Sequence, residues 1–324
     1  MSRRLVLVLC AVAVLAPGAR ASFDLSLIPQ VTTGRIQRHD PVTNVALGSF
    51  GAPNANNVTL DQANNRVFVS DPSSGFIRSY NYNTGDSMGV TFIGVNVAQF
   101  AYNASVNSLF YVTTSGTIGR YNFTTGANNT IAGVAGVSYR TLDTRDGIVS
   151  LAGVTSGNAL HYTAINASTF AIQDQVGIGF LVSGTRLGKA CLSTNGSGYQ
   201  FGYTGVSSTG TLSVYFGGVT TSGFLTFATS TTLPNFNSTV VLPSIANAHD
   251  GYFAIGQDIA STTSLRVEGY TNNGVLLHQN VSAGYSFGAG NFGAANVVAP
   301  EPASMLALAG AVGLVLRRRR KSTR

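Results

Sequence analysis

"NNRVFVSDPSSGFIRSYNYNTG", residues 64–85, decides how the chain is read. An apolar run, Val67-Phe68-Val69, meets a polar break ending at Gly75; a second run, Phe76-Ile77, leads to Tyr80-Asn81 and then Thr84-Gly85. Short runs rich in β-branched and aromatic residues, bounded by Gly, Pro, Asn and Ser, are strands joined by turns. The pattern recurs on both sides. Gly34-Arg35-Ile36-Gln37-Arg38-His39-Asp40, Gly75-Phe76-Ile77-Arg78-Ser79-Tyr80-Asn81 and Gly116-Thr117-Ile118-Gly119-Arg120-Tyr121-Asn122 align, with the leading glycines 41 residues apart both times. The register holds through Thr43, Thr84 and Thr125, then through Asn44, Gly85 and Gly126. Asn can stand for Gly here because both tolerate the left-handed backbone of a turn.

A further strand precedes each unit. Leu60-Asp61 leads to Val67-Phe68-Val69, Tyr102-Asn103 to Leu109-Phe110-Tyr111-Val112, and Leu142-Asp143 to Ile148-Val149. Asp61, Asn103 and Asp143 are each expected to open a polar turn, where a short side-chain oxygen bonds the backbone. One repeat therefore reads strand, polar turn, strand, Thr-Gly turn, strand, and a period near 41 belongs to propeller blades. The stretch is similar to blades of YVTN-type and related bacterial β-propellers. Later copies drift: Tyr162 keeps the spacing from Tyr121, whereas Asn166-Ala167 lacks the turn Gly. Leu212 to Phe216 and Leu265 to Tyr270 read as later strands, with Tyr199 to Tyr203 and Tyr252 to Ile255 as their partners. The expectation is an all-β chain: a β-propeller of about six blades over residues 22–298, with blades burying both sheet faces so that alternation is weak. A jelly-roll sandwich or a β-solenoid is the alternative.

Charge sits at the ends. The 324 residues carry 19 Lys and Arg against 12 Asp and Glu, a formal +7, with only 10% charged residues. Nine of the basic residues lie within the first 21 or last eight positions, leaving ten against eleven acidic groups once Glu301 is set aside. The body is close to neutral, so nucleic-acid binding is not expected despite the overall excess. The N-terminus runs from Arg3-Arg4 through an apolar stretch, Leu5 to Leu15, to Ala19-Arg20-Ala21. These are the three regions of a secretory signal peptide over residues 1–21, with signal peptidase cutting after Ala21 and Ala19 completing the small-residue site. Cys191 is then the one cysteine of the mature chain, so no internal disulfide forms, and its apolar setting at the start of a strand fits an inert thiol.

Residues 299–324 form a third segment. Pro300-Glu301-Pro302 precedes an uncharged run, 303–316, and then Arg317, Arg318, Arg319 and Arg320. Fourteen helical residues span about 21 Å against a hydrocarbon core of ~30 Å, a marginal single transmembrane helix that snorkelling arginines can extend. The basic cluster holds that end on the cytoplasmic side. This three-part tail resembles the PEP-CTERM sorting signal, a tail also described as the C-terminal domain of ice-binding proteins. The resemblance implies a transient inner-membrane anchor, recognition and processing near Pro-Glu-Pro by an exosortase-type enzyme, and delivery to the cell surface or matrix in an exopolysaccharide or biofilm setting. It covers about 25 residues and implies nothing about the body.

Catalytic parts are sparse in that body. His39, His161, His249 and His278 form no metal pair at helical spacing, no Gly-rich phosphate loop joins strand to helix, and no cofactor is called for. His249-Asp250-Gly251 sets a histidine beside a carboxylate, yet reads as a solvated turn. Eight Asn-X-Ser/Thr sequons, at Asn57, Asn103, Asn122, Asn128, Asn166, Asn195, Asn237 and Asn280, follow from the abundance of Asn, Ser and Thr. The expectation is a non-catalytic scaffold whose Asn-, Ser-, Thr- and Tyr-rich turns bind extracellular polysaccharide, Tyr offering an apolar face with a polar tip. An exported propeller enzyme, of lactonase or polysaccharide lyase or hydrolase type, is the alternative.

Overall fold

The computed structural model describes residues 22–30, 34–40, 45–71, 74–194, 198–207, 211–233, 244–249, 252–258, 264–271, 275–283 and 293–298. The chain divides into two compact units, Met1–Phe23 with Asn296–Arg324, and Asp24–Ala295. In the first, the described residues are 22–23 and 296–298, all strand.

The described strands form a succession of sheets in which strands consecutive in sequence pair antiparallel. One has the order β23-β1-β2-β3, from β1 (Ser22–Gln30), β2 (Arg35–Asp40), β3 (Val45–Gly51) and β23 (Gly293–Val298). Next come β4 (Asn57–Asp61), β5 (Arg66–Asp71), β6 (Phe76–Asn81) and β7 (Ser87–Phe92), then β8 (Val97–Asn103), β9 (Ser108–Thr113), β10 (Ile118–Asn122) and β11 (Asn128–Ile131), each set in sequential order. A seven-stranded sheet follows: β12 (Val137–Arg145), β13 (Ile148–Thr155), β14 (Ala159–Asn166), β15 (Ile172–Thr194), β16 (Tyr199–Ser207), β17 (Leu212–Val219) and β18 (Leu225–Thr232). β19 (Ser244–His249), β20 (Tyr252–Asp258), β21 (Ser264–Thr271) and β22 (Leu276–Ala283) make the last four-stranded sheet. The fold is an all-β β-propeller.

The turns explain the 41-residue period. Asn81 Oδ1 accepts from the N–H groups of Asn83 and Thr84, and Asn122 Oδ1 from those of Thr124 and Thr125. Gly85 and Gly126 then close each turn at φ +84° and +71°. The drifted copy keeps the same device three residues later than strict spacing places it. Asn166 Oδ1 accepts from Ser168 and Thr169, and Phe170 adopts the left-handed conformation at φ +59°. The turn is therefore intact without its glycine; burial of Phe170 against Phe110, ring centroids 5.9 Å apart, accompanies a conformation that disfavours a large side chain.

Between inner and second strands the polar turn is a single 3-10 turn, Gln62–Asn64 and again Ala104–Val106, ended by left-handed Asn65 and Asn107. Core forms between successive sheets. Phe68 and Ile77 pack with Phe100, Leu109 and Tyr111 of the next sheet, and Phe110 and Ile118 with Tyr139, Leu142 and Leu151 of the one after. Both faces being covered, β9 and β17 are buried at every position, which is why alternation is faint in the sequence.

Candidate functional site

The inner strands follow one another in contact: β4 packs on β8, β8 on β12, β12 on β15, and β15 on β19. Their terminal polar residues hold neighbours together. Asn103 accepts from Ser105 N as expected of a turn residue, but its amide also donates to Thr144 Oγ1 at 2.6 Å and to the Asp146 carbonyl at 2.8 Å. Asn57 donates to the Ala98 carbonyl one sheet on.

Asp143 departs from the turn reading, whereas Asp61 opens its turn as expected but without bonding the turn's backbone. Asp61 is 1% exposed and makes no capping bond; its Oδ2 instead accepts from Asn64 and, at 2.8 Å, from Arg66. Arg66 is enclosed by the rings of Phe68, Tyr102 and Phe123, so the charge pair is clamped between two sheets. Asp143 lies inside β12 opposite Ser150, because the turn is the tight pair Asp146-Gly147 with Asp146 at φ +50°. Its Oδ2 accepts from Leu192 N at 2.6 Å.

Lys189 faces the same place. It is buried, and its Nζ donates to the Val58 carbonyl of β4 at 2.6 Å. Since β15 stands three contacts away from β4 along the ring, this bond crosses the centre of the propeller. Burial pushes Asp143 up to about 6, opposed by the nearby Lys189, and pushes Lys189 down to about 8, opposed by Asp143. Cys191 is buried beside them, and burial drives its thiol well above the ordinary value. It sits near the end of β15 rather than at the start of a strand.

A concavity lies away from this pair. A cleft of about 450 Å³ opens where the β9–β10 turn, the approach to β12 and the β13–β14 turn meet. Among the described residues it is lined by Ser115, Ser138, Thr155, Ser156 and Asn158 together with Val137 and Val154, none of them charged or titratable. Thr155 Oγ1 accepts from Ala159 N and Asn158 is left-handed at φ +63°, so the turn that carries the polar groups is internally fixed. Such a lining offers hydroxyl and amide hydrogen bonds but no counter-charge and no general acid or base.

Most of the described tyrosines lie in the core rather than on the turns. Among the described residues nine tyrosines are buried, and the hydroxyls of several are bonded internally. Tyr111 bonds Asn128, Tyr139 bonds Thr163, Tyr162 donates to the Gly223 carbonyl and Tyr199 to Asp146. The ring adds core area while its hydroxyl joins one sheet or strand to another. Two sequon residues, Asn57 and Asn103, are likewise 2% exposed and structural. His161 is half-buried in β14, where desolvation lowers its pKa. His39, His249 and His278 occupy β2, β19 and β22. Among the described residues no cluster of three His, Cys, Asp or Glu could hold a metal, and no helix is long and apolar enough to cross a membrane. Ala19, Ala21, Asp250, Gly251, Pro300, Glu301, Pro302, the run 303–316 and Arg317 to Arg320 lie outside the described residues.

Comparison with solved structures places the fold firmly. The chain is similar to one from the "Crystal structure of Nidogen/Laminin Complex" (TM-score 0.58, 11% identity, 85% of this chain and 98% of that one). It is also similar to the Myceliophteria thermophila Cps50 (Swd1) β-propeller domain (0.53, 8%, 78% and 85%) and to Kuenenia stuttgartiensis hydrazine synthase (0.51, 10%, 72% and 70%). At these identities the likeness is one of fold alone. No curated protein matches the chain. Residues 298–321 match the family described as the PEP-CTERM protein-sorting motif. Proteins bearing that motif are exported, processed by an exosortase and sorted to the cell surface. The chain is thus a PEP-CTERM protein, a β-propeller body with its sorting motif at the C-terminal end.

Proposed function

We propose that the chain is a non-catalytic surface or matrix protein that binds a neutral extracellular polysaccharide in the cleft between Ser115, Ser138 and Ser156. In this reading residues 1–21 are removed by signal peptidase, and the run 303–316 anchors the chain in the inner membrane until an exosortase-type enzyme acts near Pro300-Glu301-Pro302. The body counts as six blades, the seven-stranded sheet being two that share β15: this strand pairs β14 up to Leu181 and β16 from Val182 onward.

The observation that carries the proposal is the lining. A chain of sugars presents many neutral hydroxyls, each able to donate and accept, and the cleft offers groups of the same kind held on fixed turns. An anionic polymer would find no cation there, and a glycosidic bond would find no carboxylate pair. The test is retention of the full chain, in mild detergent, on immobilised neutral and acidic polysaccharides. Retention by a neutral polymer is expected, weakened about tenfold by Ser156→Asp, which inserts a charge on an exposed turn. Retention unchanged by Ser156→Asp, or confined to acidic polymers, would sink the assignment.

A further inference from the structure

The first blade has no first strand of its own. Gly34 aligns with Gly75 and Gly116 in the 41-residue repeat, so β2 corresponds to β6 and β10, and β1 to β5 and β9. The place held by β4 and β8 in the next two sheets is filled by β23, which gives the order β23-β1-β2-β3. Gly293–Val298 therefore completes, from the far end of the body, the blade begun at Ser22.

The same strand runs into the sorting motif. The family match covers residues 298–321, so it begins on the last residue of β23, and Ala299 alone separates Val298 from Pro300. One residue reaches at most about 3.6 Å. A peptidase works on chain freed from its ladder, and cleavage beside a paired strand proceeds from the locally opened form. β23 suits such opening. It ends its sheet with β1 as its one neighbour, so its departure breaks a single ladder. Its sequence, Gly293-Ala294-Ala295-Asn296-Val297-Val298, offers two valines as its large apolar side chains, where its counterpart β8 brings Phe100 and Tyr102 into the core.

We infer that β23 is a switch between blade and substrate. Paired to β1 it completes the first blade and withholds Pro300-Glu301-Pro302 from the processing enzyme; released, it presents the residues before that motif as extended chain. This rests on the reading that an exosortase-type enzyme acts near Pro-Glu-Pro. The rate of processing is then set by how often β23 is free, so a chain with its first blade open loses its tail readily and one with the blade complete loses it slowly.

Cells that carry an exosortase and express the full chain are followed by pulse-chase, with loss of the tail read by mass. An eight-residue Gly-Ser linker between Ala299 and Pro300 moves the motif up to about 28 Å from the strand and should speed conversion at least about fivefold. Successive N–H groups point to opposite sides of a strand, so one of Asn296→Pro and Val297→Pro removes a ladder donor. That variant should speed the parent and add nothing to the linker-extended chain. Conversion unchanged or slowed by the linker, or a proline effect that multiplies with it, overturns the inference. Should the proline variants be degraded, hydrogen exchange on the full chain in mild detergent stands in their place. The slowest amides of 293–298 should exchange at least about tenfold faster than the slowest of 57–61, and equal protection means that β23 does not leave by itself. A chain with Pro300→Ala, Glu301→Ala and Pro302→Ala separates the two readings. A parent that keeps its tail as this variant does removes the processing and the inference together, whereas a processed parent indifferent to the linker removes the inference alone.

Discussion

At Gly85 the backbone stands at φ +84° and an added Cβ would lie 2.4 Å from Phe50 Cβ. Gly126 holds the equivalent turn position at φ +71° with nothing within 4 Å. The two glycines therefore separate backbone strain from collision. Gly126→Ala meets the left-handed conformation alone and should cost about 1 kcal/mol. Gly85→Ala adds a clash with the neighbouring sheet and should cost roughly 2–4 kcal/mol. Urea unfolding midpoints of the two variants measure the difference; equal losses would mean that Phe50 yields freely. The turn glycines were legible from sequence because their conformation demands them. Phe170 was not, since a phenylalanine in a left-handed turn is tolerated through its packing on Phe110, which no local pattern announces.

At the level of elements, β12 and β15 bring two opposite charges into the centre of the ring. Asp143, ordinarily near 3.8, is raised to about 6, so the fold favours its neutral form and loses stability as pH rises through that value. Lys189, ordinarily near 10.5, is lowered to about 8, so stability is lost as pH falls through 8. Both charges are present between these values, and each buried charge costs about 3 kcal/mol there. The double variant Asp143→Leu with Lys189→Met should be more stable than the parent at pH 7, with the advantage shrinking toward pH 4 and toward pH 10. Chemical denaturation across pH reads this directly, and a parent more stable than the variant at pH 7 would reverse the sign. In the sequence Asp143 looked like a turn residue. The tight Asp146-Gly147 turn displaced it into the strand, and its contacts with Leu192 N and Lys189 span some fifty residues that local spacing cannot connect.

For the whole molecule, the division between repeat body and terminal address was readable because each has a short-range signature: a 41-residue period in one, an ordered run of residue types in the other. Composition counts tyrosines without saying which face they occupy, and nearly all of those described are core. The cleft was equally hidden, being assembled from three turns about twenty residues apart. One feature has mechanical meaning for a protein held at a cell surface. β15 passes from one half of the seven-stranded sheet to the other without a turn, so Val137–Thr232 has no slack at which a pulling force can separate its halves. Stretched from its ends in an optical trap, the chain should release β4–β7 or β8–β11 in steps of about 120 Å, each near 35 residues at about 3.5 Å. The stretch containing β15 should give way in a single event of roughly 340 Å. Its rupture as two equal steps would show that the shared strand bears no load.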